Sequence, residues 1–237
     1  MVIERVVSGQ VVAVDSRGES DDGPVFPQEE ALIAYAVEKR RREFTGARNC
    51  AREALAELSV PPTAILPGVR GAPVWPPGVV GSMTHCDGYR SAAVARTEDV
   101  RAIGIDAEPH AALPAGVRRK IVTGTAEAAQ LLWLAGEFPT VHWDRLIYSA
   151  KESTYKVWSV LTGKWLGFRD ALITPHPRSG TFGVRLLVPG PVVDGVTVDR
   201  FEGRWVVQDG LVVTAIVLNA PASRRRTAPR PPVHPPR

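Results

Sequence analysis

Two separated acidic motifs carry the chemistry open to this sequence: Gly104-Ile105-Asp106-Ala107-Glu108 and Ser149-Ala150-Lys151-Glu152-Ser153-Thr154-Tyr155-Lys156. The first reads as an apolar strand. Its side chains alternate with period two, so Asp106 and Glu108 point the same way. The second reads as a helix with Glu152 and Lys156 one turn apart on a single face. Brought together, three carboxylates and a lysine would hold a hard cation such as Mg²⁺ and neutralise a phosphate beside it. Phosphoryl chemistry is therefore the first expectation. Each motif also has a plainer reading. Strands often end in solvated acids, and Glu–Lys pairs at this spacing are surface stabilisers worth a few tenths of a kcal/mol. For the strand, context favours chemistry: Ile103 and Ile105 are apolar, Gly104 permits close backbone approach, and Pro109 stops the strand. Buried like charges repel, and a divalent ion relieves them. For the helix, the aromatic residues Trp143, Tyr148, Tyr155 and Trp158 count against a freely solvated face, and the two readings balance.

A second set of residues suits a phosphate. Arg40, Phe44, Arg48 and Arg52 follow one another at four-residue steps and form roughly one helical stripe. Such a stripe is most often a solvated face, yet arginine is also the residue that grips a phosphate bidentately. Arg70, in a Gly-flanked turn, adds a third contact. Gly81-Ser82-Met83-Thr84-His85 places a histidine beside two hydroxyl residues. Cys86 follows, but no second Cys/His pair has metal-ligand spacing, so zinc is rejected. There is no Walker loop, no Gly-x-Gly-x-x-Gly and no Gly-x-Ser-x-Gly.

The elements that must position these residues follow from periodicity. An apolar stretch (Val6, Val7, Val11, Val12, Val14) precedes an Asp/Gly-rich loop from Ser16 to Pro24. A helix is expected from Pro27, with a break near Gly46, until Pro61-Pro62 ends it. Strands are expected at 79–84, 91–96 and 100–107, then helices around Val117–Ile121 and Ala126–Leu134. A long helix from Trp143 to Leu161 carries the Lys-Glu motif. Apolar runs at 182–188, 196–198, 203–208 and 211–218 read as an antiparallel meander. This order predicts an α+β protein of two similar halves, although no internal repeat is visible.

Composition bounds the rest. A chain of 237 residues suits one large domain or two small ones sharing a core. Two cysteines, Cys50 and Cys86, give no disulfide framework and fit a reducing cytoplasm. The segment Met1 to Val14 lacks a secretory pattern, and no apolar run is long enough to span a bilayer. The net charge of +4 invites nucleic acid, but residues 221–237 contain five arginines and no acid, which leaves the body near −1. That segment reads as a disordered basic Pro/Arg tail, and no specific nucleic-acid partner is expected.

Taken in order, these motifs resemble the phosphopantetheinyl transferases of the surfactin/enterobactin-synthetase-activating type. The series runs Arg40-Arg41-Arg42-Glu43-Phe44 with Arg48 and Arg52, Arg70-Gly71-Ala72-Pro73, Trp75-Pro76, Gly81 to His85, and Gly104 to Glu108. Trp143-Asp144, Lys151 to Lys156 and Trp165-Leu166-Gly167-Phe168 complete it. The resemblance covers roughly residues 28–170. It implies a pseudo-two-fold α+β fold with coenzyme A, the co-substrate, in the cleft between an N-terminal half (1–102) and a C-terminal half (103–220). It implies Asp106, Glu108 and Glu152 as ligands of Mg²⁺, or of Mn²⁺. Lys156 would contact the pyrophosphate, and Asp106, Glu152 and Lys156 would be the catalytic set. Arg40, Arg48, Arg70, Thr84 and His85 would hold the nucleotide, chiefly its 3′-phosphate, and Leu166 would line the pantetheine path. Ala107, between the acids, offers no side-chain ligand.

The implied reaction moves the arm of coenzyme A to a serine of an apo acyl or peptidyl carrier protein. Adenosine 3′,5′-bisphosphate is released, and Glu152 is expected to act as general base. Secondary-metabolite biosynthesis of the siderophore or polyketide kind is the setting the resemblance implies, and carriers of fatty-acid, polyketide, peptide and siderophore pathways all stay open. Carrier proteins of this kind present an acidic helix, and Arg118-Arg119-Lys120 with Leu131, Leu132 and Trp133 is a basic, apolar surface to receive it. The expected enzyme is a monomer. Three alternatives stay open: a Mg²⁺-dependent phosphohydrolase, a non-catalytic coenzyme A or carrier-binding module, and a nucleic-acid binder resting on the tail. The hydrolase would not need the arginine and histidine set, and the intact Glu152 and Lys156 count against a mere binding module.

Overall fold

The structure is a computed structural model that describes residues 1–18, 23 and 25–221. The basic tail beyond Pro221 and most of the loop at 19–24 lie outside the described residues. In chain order the elements are β1 (Val12–Arg17), α1 (Pro27–Ile33), α2 (Glu38–Glu57), β2 (Val79–Cys86), β3 (Tyr89–Arg96) and β4 (Val100–Pro109). There follow α3 (Ala115–Ile121), α4 (Gly124–Glu137), α5 (Trp143–Thr162), β5 (Ala171–His176), β6 (Thr181–Leu186), β7 (Val192–Val193), β8 (Val196–Thr197), β9 (Arg200–Gln208) and β10 (Leu211–Asn219).

Two antiparallel sheets result, one ordered β1-β3-β2 and the other β4-β10-β9-β6-β5, with β7 and β8 as a small separate hairpin. Three of the four expected meander runs form β6, β9 and β10, with β5 beside β6 and β4 beside β10; the run expected at 196–198 pairs with β7 instead. The strands of the first sheet are apolar on both faces because both are covered. Val14, Val79, Ala92 and Val94 pack under α2 with Ala51, Ala54 and Leu55. Their neighbours Ala13, Val80, Ala93 and Ala95 join a second core with Ile103, Ile105 and Ala107 of β4 and Val213 and Ala215 of β10. That second core is shared by both sheets. On the far side of β4, Ala102 meets the core beneath α5, with Leu146, Ile147, Ala150 and Val157.

The sheets meet edge to edge at β2 and β4 through side chains. The Ile105 amide donates to Ser82 Oγ and the Ala107 amide to Thr84 Oγ1, both at 3.1 Å. Gly104 is required where α5 crosses β4: a Cβ there would stand 2.0 Å from the Ser153 carbonyl oxygen. The expected close approach is therefore real, and its partner is a helix backbone.

The two halves echo each other in a pair of buried ion pairs. Glu29 on α1 is fully buried; it accepts from Arg52 of α2 at 2.9 Å and from the Ile65 amide at 2.7 Å. Glu127 on α4 is equally buried; it accepts from Lys151 of α5 at 2.9 Å and from the Ile173 amide at 3.1 Å. Each carboxylate thus ties a short helix to the next long helix and to the chain beyond it.

The helix break differs from expectation. Gly46 lies in the buried middle of α2, and the chain breaks instead between Ile33 and Glu38, where Val37 is extended at φ −62°, ψ 153°. Burial of Phe44 to Arg48 outweighs the weak helix propensity of one glycine. Among the described residues, no helix is long and apolar enough to cross a membrane.

Candidate active site

Over the β2–β4 seam, α2 and α5 flank a cleft of about 490 Å³. One wall carries Arg40, Glu43, Arg48, Arg70 and His85, and the other carries Glu152, Tyr155 and Lys156. The structure therefore gathers six of the expected residues from motifs far apart in the chain. A smaller cavity of about 70 Å³, lined by Leu166, Phe168 and Trp165, shares Glu152 and Tyr155 with the cleft.

Period two along β2 decides which of its residues reach the cleft. His85 and Met83 line it, whereas Thr84 turns to the seam. The Thr84 hydroxyl accepts the Ala107 amide and donates to Asp106 Oδ1 at 3.4 Å, so it braces the acid instead of facing Arg40 and His85. Arg48 lines the cleft and is also held from behind. Its guanidinium is buried, stacks 3.3 Å from the Phe44 ring centroid, and donates to the Ile65 and Phe44 carbonyls. Burial pulls its pKa down to about 10. The arginine stripe is thus split: Arg48 and Arg52 anchor α2 internally, with Arg48 still lining the cleft, while Arg40 is half exposed on the cleft wall beside His85. Arg70 is exposed at the tip of a tight turn, in the left-handed region at φ 55° and ψ 27°. For a side chain other than glycine this conformation costs on the order of 1 kcal/mol, which the closed turn between Pro67 and Pro73 sustains.

On the opposite wall, Lys156 Nζ donates to the Ile105 carbonyl at 2.6 Å and to Asp106 Oδ1 at 3.0 Å. Asp106 is 6 % exposed, and its second oxygen, Oδ2, is buried without a hydrogen-bond partner. Burial raises the pKa of Glu152, and the Asp106 charge adds to it, while Lys156 and the Tyr148 hydroxyl oppose. Burial likewise raises Glu108, again with Asp106 adding. Glu108 is held by Arg145 at 2.7 Å. Among the described residues, no three His, Cys, Asp or Glu side chains stand as a ready-made metal cage. The three acids are neighbours that repel, not a closed ligand set. Buried mutual repulsion and an orphaned Asp106 oxygen are nevertheless what a hard cation would relieve.

Three residues of the site had no role in the sequence reading. Glu43 stands 3.6 Å from His85 Nδ1. Arg145 restrains Glu108, and Tyr148 neighbours Glu152. Arg145 and Tyr148 precede Glu152 by seven and four positions, close to two turns and one turn of α5, and that phase was the available signal. Lys151, part of the same motif, is structural: it is buried and donates to the Ile121 and Phe168 carbonyls as well as to Glu127. Cys86 is no nucleophile, since burial pushes its thiol up to about 12.

Comparison with known proteins agrees with this arrangement. Residues 28–95 match the 4′-phosphopantetheinyl transferase N-terminal domain, and residues 102–192 match the 4′-phosphopantetheinyl transferase superfamily. The chain is 55 % identical to 4′-phosphopantetheinyl transferase Svp of Streptomyces mobaraensis over 207 residues, 86 % of this chain and 84 % of the relative. It is 50 % identical to 4′-phosphopantetheinyl transferase Npt of Nocardia iowensis over 223 residues, 91 % of this chain and 99 % of the relative. It is 49 % identical to 4′-phosphopantetheinyl transferase PptT of Mycobacterium tuberculosis, across 81 % of this chain and 86 % of the relative. With both halves matched and relatives of this identity spanning most of its length, the chain belongs to the 4′-phosphopantetheinyl transferase superfamily.

Proposed function

We propose that the protein transfers the 4′-phosphopantetheine arm of coenzyme A to a serine of an apo acyl or peptidyl carrier protein and releases adenosine 3′,5′-bisphosphate. One observation carries this reading: a single cleft has the basic residues Arg40, Arg48, Arg70 and His85 on its N-terminal wall and the Glu152–Lys156 pair on the other. A phosphohydrolase would need only the second wall.

In the proposed reaction, Arg40, Arg70 and His85 hold the nucleotide and fix where its pyrophosphate lies. Lys156, already donating to Ile105 and Asp106, has its third proton for the phosphate and offsets charge developing there. The carrier serine oxygen attacks the β-phosphorus, and the bond from that phosphorus to the oxygen bridging to the α-phosphate breaks. Glu152 takes the serine proton; burial raises its pKa above the ordinary carboxylate range, which makes it a stronger base. The arm then lies toward Leu166. Asp106, Glu152 and the free oxygen of Glu108 fit Mg²⁺ (or Mn²⁺), which when bound neutralises the pyrophosphate. One chain supplies both walls, which supports action as a monomer, and thiols at Cys50 and Cys86 that are not joined in a disulfide suit a reducing cytoplasm.

The test is to incubate the protein with coenzyme A, Mg²⁺ and an apo carrier protein and weigh the carrier. A gain of one phosphopantetheine arm is expected. Nucleotide breakdown with no gain selects the hydrolase and rejects the transferase.

A further inference from the structure

We propose that Glu43 is a positioning residue for the nucleotide phosphate: it holds His85 in its Nδ1–H form and sustains the ring as a doubly donating cation once a phosphate draws Arg40 away. This rests on the reading that the Arg40–His85 wall receives a phosphate of coenzyme A.

The geometry is specific. Arg40 Nη1 lies 3.1 Å from His85 Nε2. A guanidinium only donates, so Nε2 accepts and the ring proton sits on Nδ1. Nδ1 faces Glu43 Oε2 at 3.6 Å, and the same oxygen is 3.9 Å from Arg40. The Glu43 side chain is only 16 % exposed, although its helix neighbours Arg40 and Lys39 are more than half exposed. A glutamate on the phosphate wall is at first sight misplaced, since it repels a phosphate. Its position behind the imidazole resolves this: the negative charge reaches the ligand only through the ring.

In the ligand-free arrangement Nε2 is an acceptor and has nothing to offer a phosphate. A phosphate dianion competes for the Arg40 guanidinium, which swings to it and vacates Nε2. His85 can then take one proton from solvent at Nε2 and donate it to the phosphate, with Glu43 stabilising the charge from the Nδ1 side. The other charges facing the ring divide evenly, Lys156 of α5 opposing protonation and Asp106 of β4 favouring it. Arg90, opposite His85 in β3, bonds the Gly18 carbonyl instead. Burial first, and the Arg40 charge with it, keep the empty ring neutral against Glu43, so the proton is acquired when the ligand draws Arg40 away.

Calorimetric titration of the full chain with coenzyme A and with 3′-dephospho-coenzyme A, each in two buffers of different ionisation enthalpy, counts the protons taken up. At about pH 7.5 a phosphate monoester is already almost fully dianionic, so it contributes little itself. The wild type is expected to take up a substantial fraction of a proton with coenzyme A and none with the 3′-dephospho form. Glu43→Gln should lose that uptake and bind coenzyme A about tenfold more weakly, with the 3′-dephospho affinity unchanged; Glu43→Asp should recover part of both. His85→Asn should show the same loss of uptake. Undiminished uptake and undiminished discrimination in Glu43→Gln would overturn the role of Glu43 alone. A wild type that does not discriminate the two ligands would overturn the phosphate reading of this wall, and the role of Glu43 with it.

Discussion

Lys151 and Lys156 stand on one helix five positions apart, and their surroundings give them different work. Lys151 is buried among carbonyls and Glu127, while Lys156 reaches into the cleft beside Asp106. The sequence offers both in one motif, and only the phase of α5 against α4 separates them. Replacing Glu152 by Gln removes the base but keeps the shape, and carrier modification should fall by about 10²–10⁴-fold in a single-turnover mass assay. Near-normal transfer would remove Glu152 from the proton path. His85 sets a second expectation. Burial holds its folded-state pKa below 6.5, with Glu43 opposing and Arg40 assisting. The unfolded chain therefore binds this proton first as pH falls. The stability contribution is complete above pH 6.5 and is lost as pH drops through that value toward the lower folded one. His110 is displaced the same way, so the informative measurement is a difference. Below pH 6.5 the melting temperature of the wild type should fall more steeply than that of His85→Gln.

At the scale of elements, the contact between α5 and β4 sets the catalytic geometry, because Glu152 and Lys156 ride on one and Asp106 and Glu108 on the other. Gly104 is the point of closest approach. Gly104→Ala would drive a methyl group into the Ser153 carbonyl, at a cost of about 3 kcal/mol and a melting temperature lower by roughly 10 °C. Unchanged melting would show that the helix can lift away. The basic α3 supplies a surface away from the cleft. Arg118 and Arg119, with Arg169 from the segment after α5, line a cavity of about 600 Å³ floored by Leu131 and Val122. Leu132 and Trp133 are exposed, so the apolar part of the expected surface is divided between a buried Leu131 and these two. Arg118→Glu with Arg119→Glu should raise the KM for an acidic carrier protein and leave coenzyme A affinity unaltered; an unchanged KM would exclude this face. Most elements were legible in the sequence, since alternation and helical spacing reflect burial directly. The break between α1 and α2 was not, because Gly46 looked weaker than Ala34 to Val37 until packing was known. Glu43 was illegible for a related reason: it is one charge in a charged helix, and only the fold shows that it faces His85.

For the whole molecule, the decisive feature is that two similar halves share one core and one cleft. The sequence implied two halves from the order of elements and hid the repeat itself, because Glu29–Arg52 and Glu127–Lys151 match in role and not in residue type. Thr84 then links the halves at the chemistry, accepting from β4 and donating to Asp106. Ligand held by both walls should raise the resistance of the whole chain to unfolding and not of one half alone.

The shared core has a further meaning for how the chain can be divided. Val80, Ala93 and Ala95 on one side and Ile103, Ile105 and Val213 on the other share one core, completed by Val2, Ile3 and Val6 from the start of the chain, while the covalent link between β3 and β4 is a short turn with Thr97 and Glu98 exposed. A protein split at Glu98 should therefore behave as two complementary fragments. Expressed singly, each would leave its apolar sheet face open and aggregate; expressed together, they should assemble and regain carrier modification. A soluble, folded N-terminal fragment on its own would show instead that the first sheet needs no partner.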